Sequence, residues 1–121
     1  MNWTTVLVVL AVAAVLLLLK QAGQVSPTAA RQFLKQGALV IDVRSAAEFQ
    51  SGHLPRAVNL PLDELRAGIA QHAPDKGQVL LLHCLSGTRS AMARQRLKRM
   101  GYTQVFNLGS YSRARKICEE Q

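Results

Sequence analysis

Two short runs constrain the fold of this chain more than anything else in it. Ala38-Leu39-Val40-Ile41-Asp42-Val43 and Val79-Leu80-Leu81-Leu82-His83 are apolar at almost every consecutive position. A strand with one wet face alternates apolar and polar residues. An unbroken run has both faces covered, as in a parallel sheet layered between helices. The intervening segments supply the helices. Ser26-Pro27 is an N-cap followed by a proline suited to the first helical position, and that helix runs to about Gln36 and stops at Gly37. Ala46 to Gln50 reads as a short helix ended by Gly52, and Ala57 to Leu60 as a short strand closed by Pro61. Leu62 to Gln71 is helical, with Leu62, Leu65 and Ile69 on one stripe. Thr88 to Met100 is a helix ended by Gly101, Val105 to Leu108 is the last strand, and a closing helix follows. No hairpin signal occurs. The order predicts an α/β domain, a mainly parallel sheet flanked by helices on both faces.

The first residues are of another kind. Trp3 to Leu19 carries no charge, and Val6 to Leu19 is unbroken Val, Leu and Ala. Such a helix has no solvent face. Its length sits at the short end of the membrane-spanning range, with Trp3 and Lys20 as interface residues. A cleaved signal peptide is the rival reading, but no Lys or Arg precedes the run to form a basic n-region. The expectation is one transmembrane helix over residues 1–20, a short linker over 21–24 and a folded domain over 25–121. Lys20, Arg31 and Lys35 follow the run and no basic residue precedes it, so the positive-inside rule puts the domain in the cytoplasm.

The 121 residues allow one folded domain, and the net charge of +8 suits anionic small molecules or lipid headgroups. Nucleic acid is not expected as a partner, because no aromatic-interleaved surface is evident. Two cysteines, Cys84 and Cys118, are too few for a disulfide framework and suit a reducing compartment. His53, His72 and His83 form no ligand spacing with them, so neither a metal nor a cofactor is expected.

Chemistry concentrates in Leu82-His83-Cys84-Leu85-Ser86-Gly87-Thr88-Arg89-Ser90. A buried strand ends at Cys84, a glycine-containing loop follows, and a helix begins. Ligands of open α/β sheets bind beyond the carboxyl ends of strands. Loop amides and a helix N-terminus converge there on an anion. Gly87 lets the backbone curl, Arg89 adds a cation, and Ser86, Thr88 and Ser90 add hydroxyls. A thiol in that setting ionises readily, and the same donors stabilise a persulfide or an oxyanion leaving group. The alternative is a buried structural cysteine at an ordinary strand-to-helix turn.

A family resemblance enters on two motifs. Val40-Ile41-Asp42-Val43-Arg44, Glu48-Phe49 and Gly52-His53-Leu54-Pro55-Arg56-Ala57-Val58-Asn59-Leu60-Pro61 resemble the first signature of rhodanese domains. Cys84 to Ser90, continuing into Gly101-Tyr102-Thr103-Gln104-Val105, resembles the second. The resemblance covers roughly Val25 to the C-terminus. It implies a single-domain sulfurtransferase that carries sulfane sulfur as a persulfide on Cys84, within a loop of Leu85, Ser86, Gly87, Thr88 and Arg89. Its donor would be a small anion of the thiosulfate kind and its acceptor cyanide or a thiol. Four residues separate Cys84 from Arg89. Related phosphatases and arsenate reductases use a longer loop, so the spacing favours sulfur over phosphate. The pattern departs from the family at Arg56, where glycine is frequent, and over Gly109-Ser110-Tyr111-Ser112-Arg113, where Gly-Gly and then Trp are frequent. The second departure motivates an alternative: a membrane-tethered sulfur relay or recruitment module fed by a sulfur-trafficking protein.

Other residues read more plainly. Asp42, Arg44 and Glu48 suit a structural network at a strand end, since buried polar groups find partners. The resemblance gives His53 structural support of the site. His83 precedes Cys84 on a strand and points to the opposite face. Cys118 is a bystander or a resolving thiol.

Overall fold

A computed structural model describes residues 2–21 and 23–119, with only the helical backbone described for 19–21. The expected linker residue Ala22 and the interface side chain of Lys20 lie outside the described residues. Helix α1 (Trp3–Gln21) is followed by α2 (Pro27–Lys35), β1 (Leu39–Asp42), α3 (Ala46–Ser51) and β2 (Ala57–Asn59). A 3-10 turn (Leu62–Glu64) leads into α4 (Leu65–His72), then β3 (Leu80–His83), α5 (Thr88–Arg99), β4 (Val105–Gly109) and α6 (Tyr111–Glu119). The four strands lie in the order β2-β1-β3-β4 with every pairing parallel.

The two apolar runs become the central strands β1 and β3, which explains why neither alternates. Their side chains divide by pleat. Ile41, Val43, Leu80 and Leu82 face α4 and α5, where Leu65, Ile69, Ala93 and Leu97 complete one core layer. Val40 and Leu81 face α2 and α6, where Ala30, Leu34, Ala114 and Ile117 complete the other. Local chemistry sets the helix starts. The Ser26 hydroxyl accepts the Ala29 amide, and Ser45 and Glu48 form a reciprocal capping box at α3. Between β3 and β4 the register shifts at Leu82/His83, so that Gly109 rather than Leu108 sits opposite His83. Such irregularities re-aim a strand end.

The N-terminal run is helical as expected, but its expected role as a transmembrane span is not supported. Among the described residues, no helix is long and apolar enough to cross a membrane. A span needs about 20 apolar residues to cover a hydrocarbon core about 30 Å thick. Most large apolar side chains described on α1 are exposed, from Trp3 at 74% to Leu18 at 66%.

Leu82 is fully buried in the layer that also holds Cys84. Leu82→Ala is expected to destabilise the domain by about 2–5 kcal/mol, as a large-to-small change in a packed core. Urea unfolding followed by circular dichroism reads this as a lowered midpoint with an unchanged slope.

Candidate active site

β3 points Leu80, Leu82 and then Cys84 into the α4/α5 layer, and the chain curls directly afterwards. Gly87 caps α5 at φ 98°, a left-handed conformation that L side chains rarely adopt. A Cβ there would lie 3.4 Å from the Gly109 backbone. The curl aims donors at one atom. Cys84 Sγ accepts the Gly87 amide at 3.0 Å and the Ser90 amide at 3.4 Å. The Ser90 hydroxyl lies 3.5 Å from Sγ and 3.2 Å from the Gly87 carbonyl, sharing its single proton between two acceptors.

Burial pushes the Cys84 thiol up. The Ser90 hydroxyl and the amides of Ser90, Gly87 and Ser86 outweigh it, so the thiol sits below its ordinary value. The donors favour the thiolate although Cys84 is 0% exposed. The sulfur is therefore covered as well as cradled, and Leu85 (57% exposed) and Ser86 lie at the surface next to it.

The residues singled out in the sequence separate into distinct groups. Ser86 and Thr88 place their hydroxyls 3.5 Å from each other, and Ser90 is the hydroxyl directed at sulfur. Arg89 turns outward instead of into the ring. Its guanidinium grips Glu48 with bonds of 2.6 and 3.0 Å, tying α5 to α3. Hydrogen bonding from Arg89 holds the Glu48 carboxyl down at about 2, against desolvation. Glu48 is then ionised throughout the neutral range, and the grip is not released by mild acid. Arg89 also walls a cavity of about 150 Å³ with Val43, Ser45, Pro61, Leu62 and Asp63.

Asp42 and Arg44 form one buried unit. Asp42 accepts the Arg44 amide at 2.9 Å and the guanidinium at 2.7–3.0 Å. Arg44 also donates to the Gly52 carbonyl at 2.8 Å, which ties the turn bearing His53 to β1. His53 itself stacks on Phe49 and lies 2.7 Å from its carbonyl. His83 is fully buried on the pleat opposite Cys84. Its Nδ1 is 3.3 Å from the Cys84 carbonyl and its Nε2 3.7 Å from Asp42, with no hydrogen-bond partner for Nε2 among the described residues. Burial lowers its basicity, aided by Arg44 and opposed by Asp42 and the Cys84 carbonyl. A neutral ring with Nδ1–H donating to that carbonyl follows. Cys118 packs against the α2/α6 layer, across the sheet from Cys84, which separates the two thiols.

Sequence reasoning missed Asn107. This fully buried side chain donates to the Gly87 carbonyl at 3.2 Å and accepts the Gly109 amide at 2.8 Å, locking both sides of the curl. The available signal was a polar residue inside Val105-Phe106-Asn107-Leu108, which has to be satisfied if the strand is buried.

Ser90→Ala removes a donor to sulfur, so the Cys84 pKa is expected to rise. The pH-rate profile for alkylation of Cys84 by iodoacetamide should move to higher pH by up to about one unit, the equivalent of one hydrogen bond of ~1.4 kcal/mol. A profile unchanged from wild type would show that the hydroxyl serves only the Gly87 carbonyl.

Comparison with known proteins matches this geometry to one family. Residues 26–114 fit the family model described as a rhodanese-like domain. The chain is 41% identical over 69 residues to thiosulfate sulfurtransferase PspE of Escherichia coli (strain K12), covering 57% of this chain and 66% of that one. That is just under two thirds of PspE's length. It is 33% identical over 85 residues to thiosulfate sulfurtransferase GlpE of Pseudomonas savastanoi pv. phaseolicola, covering 70% and 78% of the respective chains. Among solved structures, the human single-domain sulfurtransferase TSTD1 superposes with a TM-score of 0.67 at 30% identity, over 78% of this chain and 96% of that one. With the parallel sheet, the cysteine at its carboxyl end and the family model spanning most of the domain, this chain belongs to the rhodanese-like domain family.

Proposed function

We propose that the chain is a sulfurtransferase that carries sulfane sulfur on Cys84. The carrying observation is the convergence of the Gly87 and Ser90 amides on Cys84 Sγ at 3.0 and 3.4 Å. The thiolate attacks the outer sulfur of a donor such as thiosulfate. The sulfur–sulfur bond of the donor breaks and sulfite leaves with the electron pair. The persulfide left on Cys84 carries its charge on the outer sulfur, one S–S bond beyond the Sγ that the loop amides bind, at the edge of the same ring of donors. An acceptor, cyanide or a thiolate, then attacks the terminal sulfur and displaces the Cys84 thiolate. Relatives named as thiosulfate sulfurtransferases support thiosulfate as donor.

One observation favours a second reading. Cys84 is fully covered, while Leu85 and Met92 expose 57% and 45% of their surface on the loop and on α5. A docked protein that engages these side chains and opens the loop would make the chain a sulfur relay with little turnover of free thiosulfate. Incubation with thiosulfate followed by intact mass measurement separates the cases. Enzymatic transfer predicts a gain of one sulfur atom on wild type, absent from Cys84→Ala and discharged by cyanide. A relay predicts a slow gain that a protein persulfide donor accelerates. An equal gain on both variants would remove Cys84 from either scheme.

Most large apolar side chains described on α1 are exposed, and contiguous apolar surface of that kind is covered in a working protein. We propose that lipid covers it and that the domain lies on the cytoplasmic side, in keeping with Lys20 and the basic residues after it. The full chain should then sediment with membranes in high salt and be released by detergent. Recovery in the supernatant without detergent would overturn this.

A further inference from the structure

The outer sulfur of a persulfide on Cys84 needs donors beyond the two amides at Sγ. The loop offers them only when its peptide planes are turned the right way. A trans peptide points its carbonyl and the following N–H in opposite directions. A group that holds a loop carbonyl from outside therefore turns the next amide away from itself, into the loop. Three loop carbonyls are held in this manner, and the described peptide bonds are trans. The Leu85 carbonyl accepts the Tyr111 amide at 3.1 Å, and the Ser86 amide that follows is among the donors that hold the Cys84 thiol down. The Gly87 carbonyl accepts Asn107 Nδ2 and the Ser90 hydroxyl, each at 3.2 Å, ahead of the Thr88 amide at the start of α5. The Cys84 carbonyl is the third, and its holder is the His83 ring, with Nδ1 at 3.3 Å.

That bond is the one polar contact the imidazole makes well. The ring is 0% exposed and lies on the pleat opposite Cys84. A carbonyl only accepts, so Nδ1 carries the proton, and in a neutral ring Nε2 is then a bare acceptor. Nε2 has no hydrogen-bond partner among the described residues. It faces the Asp42 carboxylate at 3.7 Å, another acceptor and one already bonded to Arg44. The Tyr111 ring packs 5.8 Å from the imidazole. An apolar ring would fill this space without stranding a nitrogen. What histidine adds is the Nδ1–H.

We propose that His83 is a positioning residue for the carried sulfur: its Nδ1–H holds the Cys84 carbonyl and so turns the Leu85 amide to the Cys84 side of the loop, where it donates to the outer sulfur of the persulfide. This rests on the reading of Cys84 as a sulfur carrier. The Gly87 and Ser90 amides serve Sγ and the attacking thiolate. The Leu85 amide serves the outer atom. The first set governs how readily Cys84 attacks, the second how firmly it keeps the sulfur.

The loading equilibrium separates the two sets. Thiolate and thiosulfate give persulfide and sulfite, so the thiosulfate-to-sulfite ratio at which half of the full chain carries one extra sulfur, read by intact mass, reports persulfide stability. As an equilibrium it reads the same for an enzyme and for a relay. His83→Phe keeps an aromatic ring and removes the donor. His83→Asn puts an amide nitrogen near the Nδ1 position and loses ring volume. The half-loading ratio is expected to rise about tenfold in His83→Phe, the effect of one hydrogen bond to a charged group at the low end of its range. His83→Asn should return most of the way to wild type. The pH-rate profile for iodoacetamide alkylation of unloaded Cys84 should coincide in all three proteins, because Sγ keeps its donors. If His83→Phe does not fold, His83→Leu removes the donor and is read in its place. An unchanged ratio in the donorless variant overturns the proposal. An equal rise in His83→Asn overturns it too, by showing that ring packing alone matters. A shifted alkylation profile in His83→Phe overturns it by placing the effect at Sγ. Wild type that gains no sulfur at any ratio removes instead the underlying reading of Cys84, and this proposal with it.

Discussion

A sulfur atom buried without donors stays a neutral thiol, because burial alone disfavours its charge. Cys84 is fully covered, yet backbone amides from Gly87 and Ser90 point at it. That convergence depends on a chain of further requirements. The curl needs Gly87 at φ 98° against the backbone of Gly109. Asn107 holds the Gly87 carbonyl and the Gly109 amide in place. Asn107 reaches both only because β4 pairs with β3 through the register shift at Leu82/His83. The Cys84 amide itself donates to the Gly109 carbonyl at 3.2 Å. The loop is therefore built by β4 as much as by the residues that compose it.

The charged residues around the loop brace it without touching sulfur. Arg89 and Glu48 tie α5 to α3, and Arg44 and Asp42 tie β1 to the Gly52 turn. A guanidinium turned into the ring would occupy the space an anionic substrate needs. Turned outward, it leaves the amides as the donors at sulfur, and these are fixed in place before charge develops. Fixed dipoles at Sγ favour the attacking thiolate and receive it again when an acceptor takes the outer sulfur.

The sheet also divides the chemistry. Alternation along β3 sends Cys84 to the α4/α5 layer and His83 to the layer of α2 and α6. Cys118 shares the second layer, with the sheet between it and Cys84. Tyr111 crosses this division, since it begins α6 directly after β4 and bonds to the loop by its main chain.

Much of this was legible in the residues. Continuous apolar runs marked β1 and β3 because a buried strand cannot show a polar face. Ser26-Pro27, Gly37 and Gly101 marked helix ends, because capping is satisfied within a few residues. The strand-loop-helix at Cys84 was legible for the same reason. What escaped depended on partners distant in the chain. Arg89 was expected in the cradle and found on Glu48, which lies 41 residues earlier. Ser86, Thr88 and Ser90 offered equal hydroxyls, and only the turn of α5 selected Ser90. Asn107 joined the site through strand register. The sequence by itself determined the parallel α/β sheet and the cysteine at its carboxyl edge, since these follow from short-range pattern. Tertiary structure alone decided which donors face the sulfur and that it lies covered, since those outcomes depend on contacts between segments far apart in the chain.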